Sequence, residues 1–185
     1  MSIKTKVFIT VFVLLIIGFL LRVDLRLRYY LDTSDVIIYG NNVTINDFKS
    51  SRKAESSNIL YTHGFGCVYN LGPFPFINCF SYFEPNNSWI KRPLDKKTEL
   101  DFELHKIIFK LNELCARKLE IKVKRLIEND KKPNFDKFSN KYHRMIYTRD
   151  SLKLVIEKDD YVSYQQKIEK WSKWIDNKLV NCCDI

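Results

Sequence analysis

The chain opens on an unbroken apolar run. Val7 to Leu21 reads VFITVFVLLIIGFLL, preceded by Lys4 and Lys6 and closed by Arg22. A spanning helix needs about 20 mainly apolar residues at a rise of about 1.5 Å each. The run approaches that length if Arg22 snorkels, its aliphatic stem staying in the apolar zone while the guanidinium reaches the headgroups. Leu20 to Asp24 offer no small-residue cleavage site of the kind that follows a secretory signal. The pattern therefore predicts a basic tail over 1–6 and a transmembrane signal-anchor helix over 7–23, held through Val7, Leu14, Ile17, Leu21 and Arg22. A juxtamembrane segment over 24–35 would follow. Lys4, Lys6 and the α-amino group on one side balance Arg22, Arg26 and Arg28 on the other. The shortness of the tail tips the expected orientation toward a cytoplasmic N-terminus, with the rest of the chain on the periplasmic, extracellular or lumenal side.

Beyond residue 35 the period changes. VIIY and VTI, on either side of Gly40-Asn41-Asn42, predict a hairpin over Val36 to Ile45. Asn46 and Asp47 could cap a short helix through Ala54, and Ile59 to Tyr61 reads as a short strand. Residues 62–93 interleave Gly64, Gly66, Gly72, Pro73, Pro75 and Pro85 with Phe65, Tyr69, Phe74, Phe76, Phe80, Tyr82, Phe83 and Trp89. Turn residues reverse the backbone while aromatics supply burial, which fits a packed irregular loop or a twisted hairpin. Thr98 to Asp130 carries an apolar stripe at helical spacing, through Leu100, Leu104, Ile107, Ile108, Leu111, Cys115, Leu119, Leu126 and Ile127, with acids in its first turn. Its other face alternates Lys110, Glu113, Arg117, Glu120, Lys124 and Glu128 at spacings that allow pairing along the helix; Lys118, Lys122 and Arg125 lie outside that ladder. Met145–Thr148 and Ser151–Ile156 flank Arg149-Asp150 as a second hairpin, or form part of a continuous helix. A last helix over about 160–180 places Tyr161, Tyr164, Ile168, Trp171 and Ile175 on one stripe. The expected fold is α+β: an anchor helix, then one small domain over 36–185 with short hairpins, a long amphipathic helix and a C-terminal helix, the alternative being a mostly α domain.

Charge sharpens this picture because it is uneven. The 185 residues carry a net charge of +9, and 16 Lys and Arg against nine Asp and Glu fall within residues 91–145. Most of the excess sits in that one stretch, which predicts a basic face rather than a uniformly charged surface.

The chemistry-bearing residues are sparse. Gly64-Phe65-Gly66 lacks the Lys-Ser/Thr and helix that a phosphate loop requires, and no H-E-x-x-H, paired C-x-x-C or nucleophile elbow occurs. His63 and Cys67 could set a thiol beside a base, or begin a metal site with Cys79, yet neither arrangement has its required third partner in view. In an oxidising compartment Cys67 and Cys79 are instead the natural disulfide pair, closing a short loop. The terminal Cys182-Cys183-Asp184-Ile185 fails as a prenylation box because Asp184 stands where an aliphatic residue belongs.

The function these features favour is a membrane-anchored, non-catalytic binding protein: an accessory subunit or inhibitor of another protein, with no cofactor. Its contacts would come from the aromatic section, Phe74, Phe76, Phe80, Tyr82 and Phe83, and from the basic helix face, Arg117, Lys118, Lys122, Lys124 and Arg125. Membrane lipid and a protein are the expected partners. Nucleic acid and a small-molecule substrate are disfavoured. The competing readings are a small anchored enzyme using Cys67 and His63, and a structural subunit of a larger membrane complex.

Overall fold

The computed structural model describes residues 5–16, 36–40, 42–50, 58–70, 75–129, 134–159 and 163–182. The chain divides into two compact units, Met1–Val36 and Ile37–Ile185.

In the first unit residues 5–16 form a helix, α1. Its twelve described residues rise only about 18 Å, against a bilayer core of about 30 Å. Among the described residues no helix is long and apolar enough to cross a membrane. This overturns the expected single-pass signal-anchor helix over 7–23, and with it the cytoplasmic N-terminus and the placement of the domain across a membrane. An uncharged run is not by itself a span; length decides. Val7 and Leu14 belong to α1, whereas Ile17, Leu21 and Arg22 lie outside the described residues.

The second unit mixes strand and helix. Its centre is a long hairpin, β3 (His63–Asn70) with β4 (Phe76–Phe83), in a register that pairs His63 with Phe83, Cys67 with Cys79 and Asn70 with Phe76. The stretch of alternating turn residues and aromatics is thus regular, because its turn formers cluster at 72–75 and leave two runs free to pair. A two-residue strand, β1 (Ile37–Ile38), adds antiparallel to β4, giving the order β1-β4-β3. Gly40 supplies the positive φ (106°) that turns the chain away from that edge. The expected hairpin over 36–45 does not form, since Ile37 finds Phe83 rather than a neighbour across the turn. A second small ladder pairs β2 (Ile59–Leu60) with β5 (Trp89–Ile90).

Three helices follow the strands: the first packs along the hairpin, the second meets it through Phe138 and Tyr142, and the third packs on the first. α2 (Lys96–Asn129) begins where Asp95 accepts hydrogen bonds from the backbone N–H and hydroxyl of Thr98, both at 2.7 Å. Asp95 is therefore the capping residue. α3 (Phe135–Glu157) is capped by Asn134, which accepts from the Lys137 N–H at 2.9 Å. The stretch around Arg149-Asp150 is continuous helix, so no second hairpin exists there. α4 (Tyr164–Val180) starts in a reciprocal Ser163–Gln166 capping box.

The contacts set the helix directions. Asn112 of α2 meets Arg149 of α3, and the short connection between these helices makes them antiparallel. Tyr164 donates to Asp101 at 2.6 Å, and Lys110 donates to Asp176 at 2.8 Å. α4 therefore runs parallel to α2 from near its start. At about 1.5 Å per residue, the 34 residues of α2 span about 51 Å and the 17 of α4 about 25 Å. α4 covers the first half of α2 and stops.

Two apolar clusters result. Phe65, Ile77 and Cys79 of the hairpin pack with Ile108, Leu111, Leu119, Met145, Ile156, Ile175 and Cys182. A second cluster joins Val43, Phe48, Ile59, Tyr61 and Phe83 to Phe102 and Phe109.

Candidate functional site

The hairpin has two unlike faces. His63, Phe65, Cys67 and Tyr69, with their partners Ile77, Cys79, Ser81 and Phe83, alternate toward the helices. Tyr69 lies 4.2 Å from Phe138 between ring centroids, and Phe65 lies 5.8 Å from Tyr142. Phe83 is completely buried. Phe76, Phe80 and Tyr82 alternate to the other face and are half-buried. Tyr82 lies flat across Gly64, where a Cβ would come within 2.9 Å of its hydroxyl. Of the aromatic contact candidates, Phe76, Phe80 and Tyr82 therefore share an outer face, Phe83 is core, and Phe74 lies outside the described residues.

Cys67 and Cys79 form a disulfide directly across the hairpin. A sulfur in that bond is neither a thiolate nucleophile nor a metal ligand. His63 is equally committed. The Arg149 guanidinium, which can only donate, gives a hydrogen bond to the Asn112 side-chain oxygen at 3.1 Å. The Asn112 amide nitrogen is thereby turned to His63, 2.6 Å from Nδ1, which must accept. Burial pushes the His63 pKa down to about 3, helped by His105, Lys153 and Arg149. His105, stacked on Tyr61 at 5.4 Å, is pushed down to about 4 by burial and by Lys153, with Asp101 opposing. Both rings are neutral at ordinary pH, and their cluster with Tyr61 and Asn112 ties the hairpin to α2. Sequence reasoning missed Tyr61, Asn112 and Arg149 because only folding brings them to His63.

The basic face is built on α2 and divides by helical angle. Glu113, nearly buried, accepts from the Ser81 hydroxyl at 3.1 Å and from the Ser81 N–H at 3.3 Å. Glu120 accepts from the Cys79 N–H at 2.8 Å. The two carboxylates occupy the backbone donors of β4 where β1 has ended, as a neighbouring strand otherwise would. Arg117 pairs with Glu113 at 2.8 Å, and Lys124 with Glu120, so these two cations neutralise the capping acids. Lys118, Lys122 and Arg125 are exposed and enter no ion pair among the described residues.

Lys118, Lys122 and Arg125 lie at successive spacings of four and three, continuing the buried positions Ile107, Leu111 and Leu114 on the side of α2 opposite Glu113 and Glu120. Antiparallel beside them, α3 turns Phe138 and Tyr142 to the hairpin and carries Lys141 and Arg144 on its other side. From sequence these two cations were counted in the basic stretch 91–145 but set on no face, because no element was assigned between Asp130 and Met145; their three-residue spacing within a helix was the available signal. Beyond the end of α4, five cations thus line one side of the α2–α3 pair, with Glu128 the single exposed acid on that end of α2.

A cleft of about 590 Å³ also opens between Tyr39–Ile45 and α2, lined by Val43, Phe102, Phe109, Lys106 and Lys110. Its lysines are paired, Lys106 with Glu103 at 3.0 Å and Lys110 with Asp176 at 2.8 Å. No protein-family model, curated protein or solved structure matches the chain.

Proposed function

We propose that the Ile37–Ile185 unit is a non-catalytic binding domain, an accessory subunit or inhibitor that recognises another protein through the α2–α3 basic side. One observation carries this reading. Two acids of α2, Glu113 and Glu120, are spent on the β4 edge, while Lys118, Lys122, Arg125, Lys141 and Arg144 lie together and enter no ion pair among the described residues. Unpaired like charges gathered on one side raise each other's cost unless an anionic surface meets them.

The enzyme reading has lost its parts. Its thiol is in a disulfide, and its histidine is held neutral against Asn112. The disulfide also favours a protein partner over nucleic acid, since such bonds persist in oxidising compartments.

Charge reversal tests the proposal. Lys122→Glu with Arg144→Glu is expected to abolish recovery of the partner cross-linked to the wild-type chain in its native setting, with the thermal melt unchanged. Undiminished recovery of the same partner would overturn the reading.

A further inference from the structure

The two edges of the long hairpin are finished differently. On the β4 side the backbone groups of Cys79 and Ser81 point away from β3. Their N–H groups donate to Glu120 and Glu113, and the Ser81 carbonyl accepts from the Tyr39 N–H at 3.1 Å. The register sets Cys67 opposite Cys79 and Phe65 opposite Ser81. In an antiparallel pair, residues whose backbone groups point outward on one strand stand opposite residues that point outward on the other. The N–H and C=O of Phe65, Cys67 and Tyr69 are therefore turned away from β4, along the outer edge of β3, the last strand in the order β1-β4-β3. Among the described residues no hydrogen bond reaches those groups of Cys67 and Tyr69. α3 meets the strand on its face, through the rings of Phe138 and Tyr142.

Phe65 is buried, but from residue 66 to 70 every position is at least part-exposed. That stretch reads Gly-Cys-Val-Tyr-Asn, with no charge and no proline, two of the devices that ordinarily keep a strand edge from being paired. We infer that this edge is an interaction surface, on which an extended acidic segment of the partner protein adds as a further strand, hydrogen-bonded to Cys67 and Tyr69. Charge chooses this occupant over a second copy of the chain. The stretch of α3 that meets β3 carries Lys137, Lys141 and Arg144 against Asp136. Two copies paired edge to edge would bring those cations together, whereas an acidic segment would be drawn to them. Tyr69 and Phe135, both exposed with ring centroids 6.4 Å apart, offer an apolar contact to a side chain of the added strand. The inference rests on the reading of the unit as a protein-binding domain, and adds a second contact surface and the form of the segment it takes.

The test uses the full chain and defined peptides. The probe alternates Thr and Val and carries Glu at both ends. One control has every amide N-methylated, which removes its strand donors; another replaces Glu by Lys. In the free chain, amide hydrogen exchange is expected to be slow at Gly66 and Val68, which bond β4, and fast at Cys67 and Tyr69. The probe should slow exchange at Cys67 and Tyr69 about ten-fold, and neither control should. Tyr69→Pro, which removes an outward N–H and leaves the ladder to β4 intact, should abolish the slowing at Cys67; Tyr69→Ala, which keeps the N–H, should not. No slowing by the probe, equal slowing by the N-methylated peptide, or protection of Cys67 and Tyr69 that arises from dimerisation of the chain would overturn the edge inference. The binding reading would survive that result if Lys122→Glu with Arg144→Glu still cost the native partner, and would fall with it if native capture were untouched.

Discussion

The first half of α2 and its last three turns present the same stripe of positions to the side away from the sheet, and they treat it in opposite ways. Ile107, Leu111 and Leu114 are sealed under α4, while Lys118, Lys122 and Arg125 stand in solvent. On the opposite stripe the order of charge is reversed in function: Glu113 and Glu120 reach in to the β4 edge, and Arg117 and Lys124 neutralise them. One helix is therefore a core element for half its length and a display element for the rest. The length of a neighbouring helix draws the boundary.

The largest way to break this contrast is to move charge across the boundary. Leu111→Lys places an ammonium at a fully buried position, where desolvation without a partner adds to the lost packing. The expected cost is about 4 kcal/mol or more, read as a collapse of the denaturant midpoint. A melt within about 0.5 kcal/mol of wild type would show that α4 does not seal Leu111.

Next comes the disulfide that holds the two strands in register. Cys67→Ser with Cys79→Ala opens a loop of sequence separation 12, and a loss of about 2–3 kcal/mol is expected. Equal denaturant curves for wild type with and without reductant would contradict it.

The same half of α2 is also intolerant of charge on its sheet side. His63 and His105 have folded pKa values near 3 and 4, below the ordinary 6.5, so the unfolded chain takes up protons first as pH falls. Their contribution to stability is complete above about pH 6.5 and is lost progressively down to about pH 4 for His105 and about pH 3 for His63, at no more than about 1.4 kcal/mol per pH unit for each ring. His63→Gln with His105→Gln should flatten the stability–pH curve over that window. A wild-type curve already flat there would refute the assignment of the rings as buried and neutral.

The smallest effect belongs to the displayed half. Lys122→Glu should change stability by less than about 0.5 kcal/mol, because the side chain is exposed and enters no ion pair among the described residues. A larger loss in a thermal melt would mean that the cation is structural rather than displayed.

Much of this was readable from residue order, and the failures have specific causes. The stripe from Leu100 to Ile127 marks α2 within a residue or two, because its apolar spacing runs for many turns without interruption. Cys67 and Cys79 were recognisable as a pair, though not as cross-strand neighbours. Three readings failed where a local pattern has more than one tertiary use. Val36–Ile45 looked like a hairpin, but Ile37 pairs with Phe83 instead. Met145–Ile156 held β-prone residues that α3 absorbs, because Met145 and Ile156 gain burial against α2 only as one helix face. The apolar opening read as an anchor from its composition, and its described helix is too short to cross a bilayer.

By itself the sequence determined the long helix, the C-terminal helix, the turn-and-aromatic stretch, the cysteine pair and the concentration of cations in residues 91–145. These are short-range properties: periodicity, capping chemistry and charge density are set by neighbours along the chain. Only the tertiary structure decided which cations are free to act. Arg117 and Lys118 are adjacent in sequence and alike in charge, yet one is tied to a buried carboxylate under the sheet and the other stands exposed. A step of about 100° around the helix axis separates their fates, and what stands on each side of that axis is fixed by elements distant in sequence.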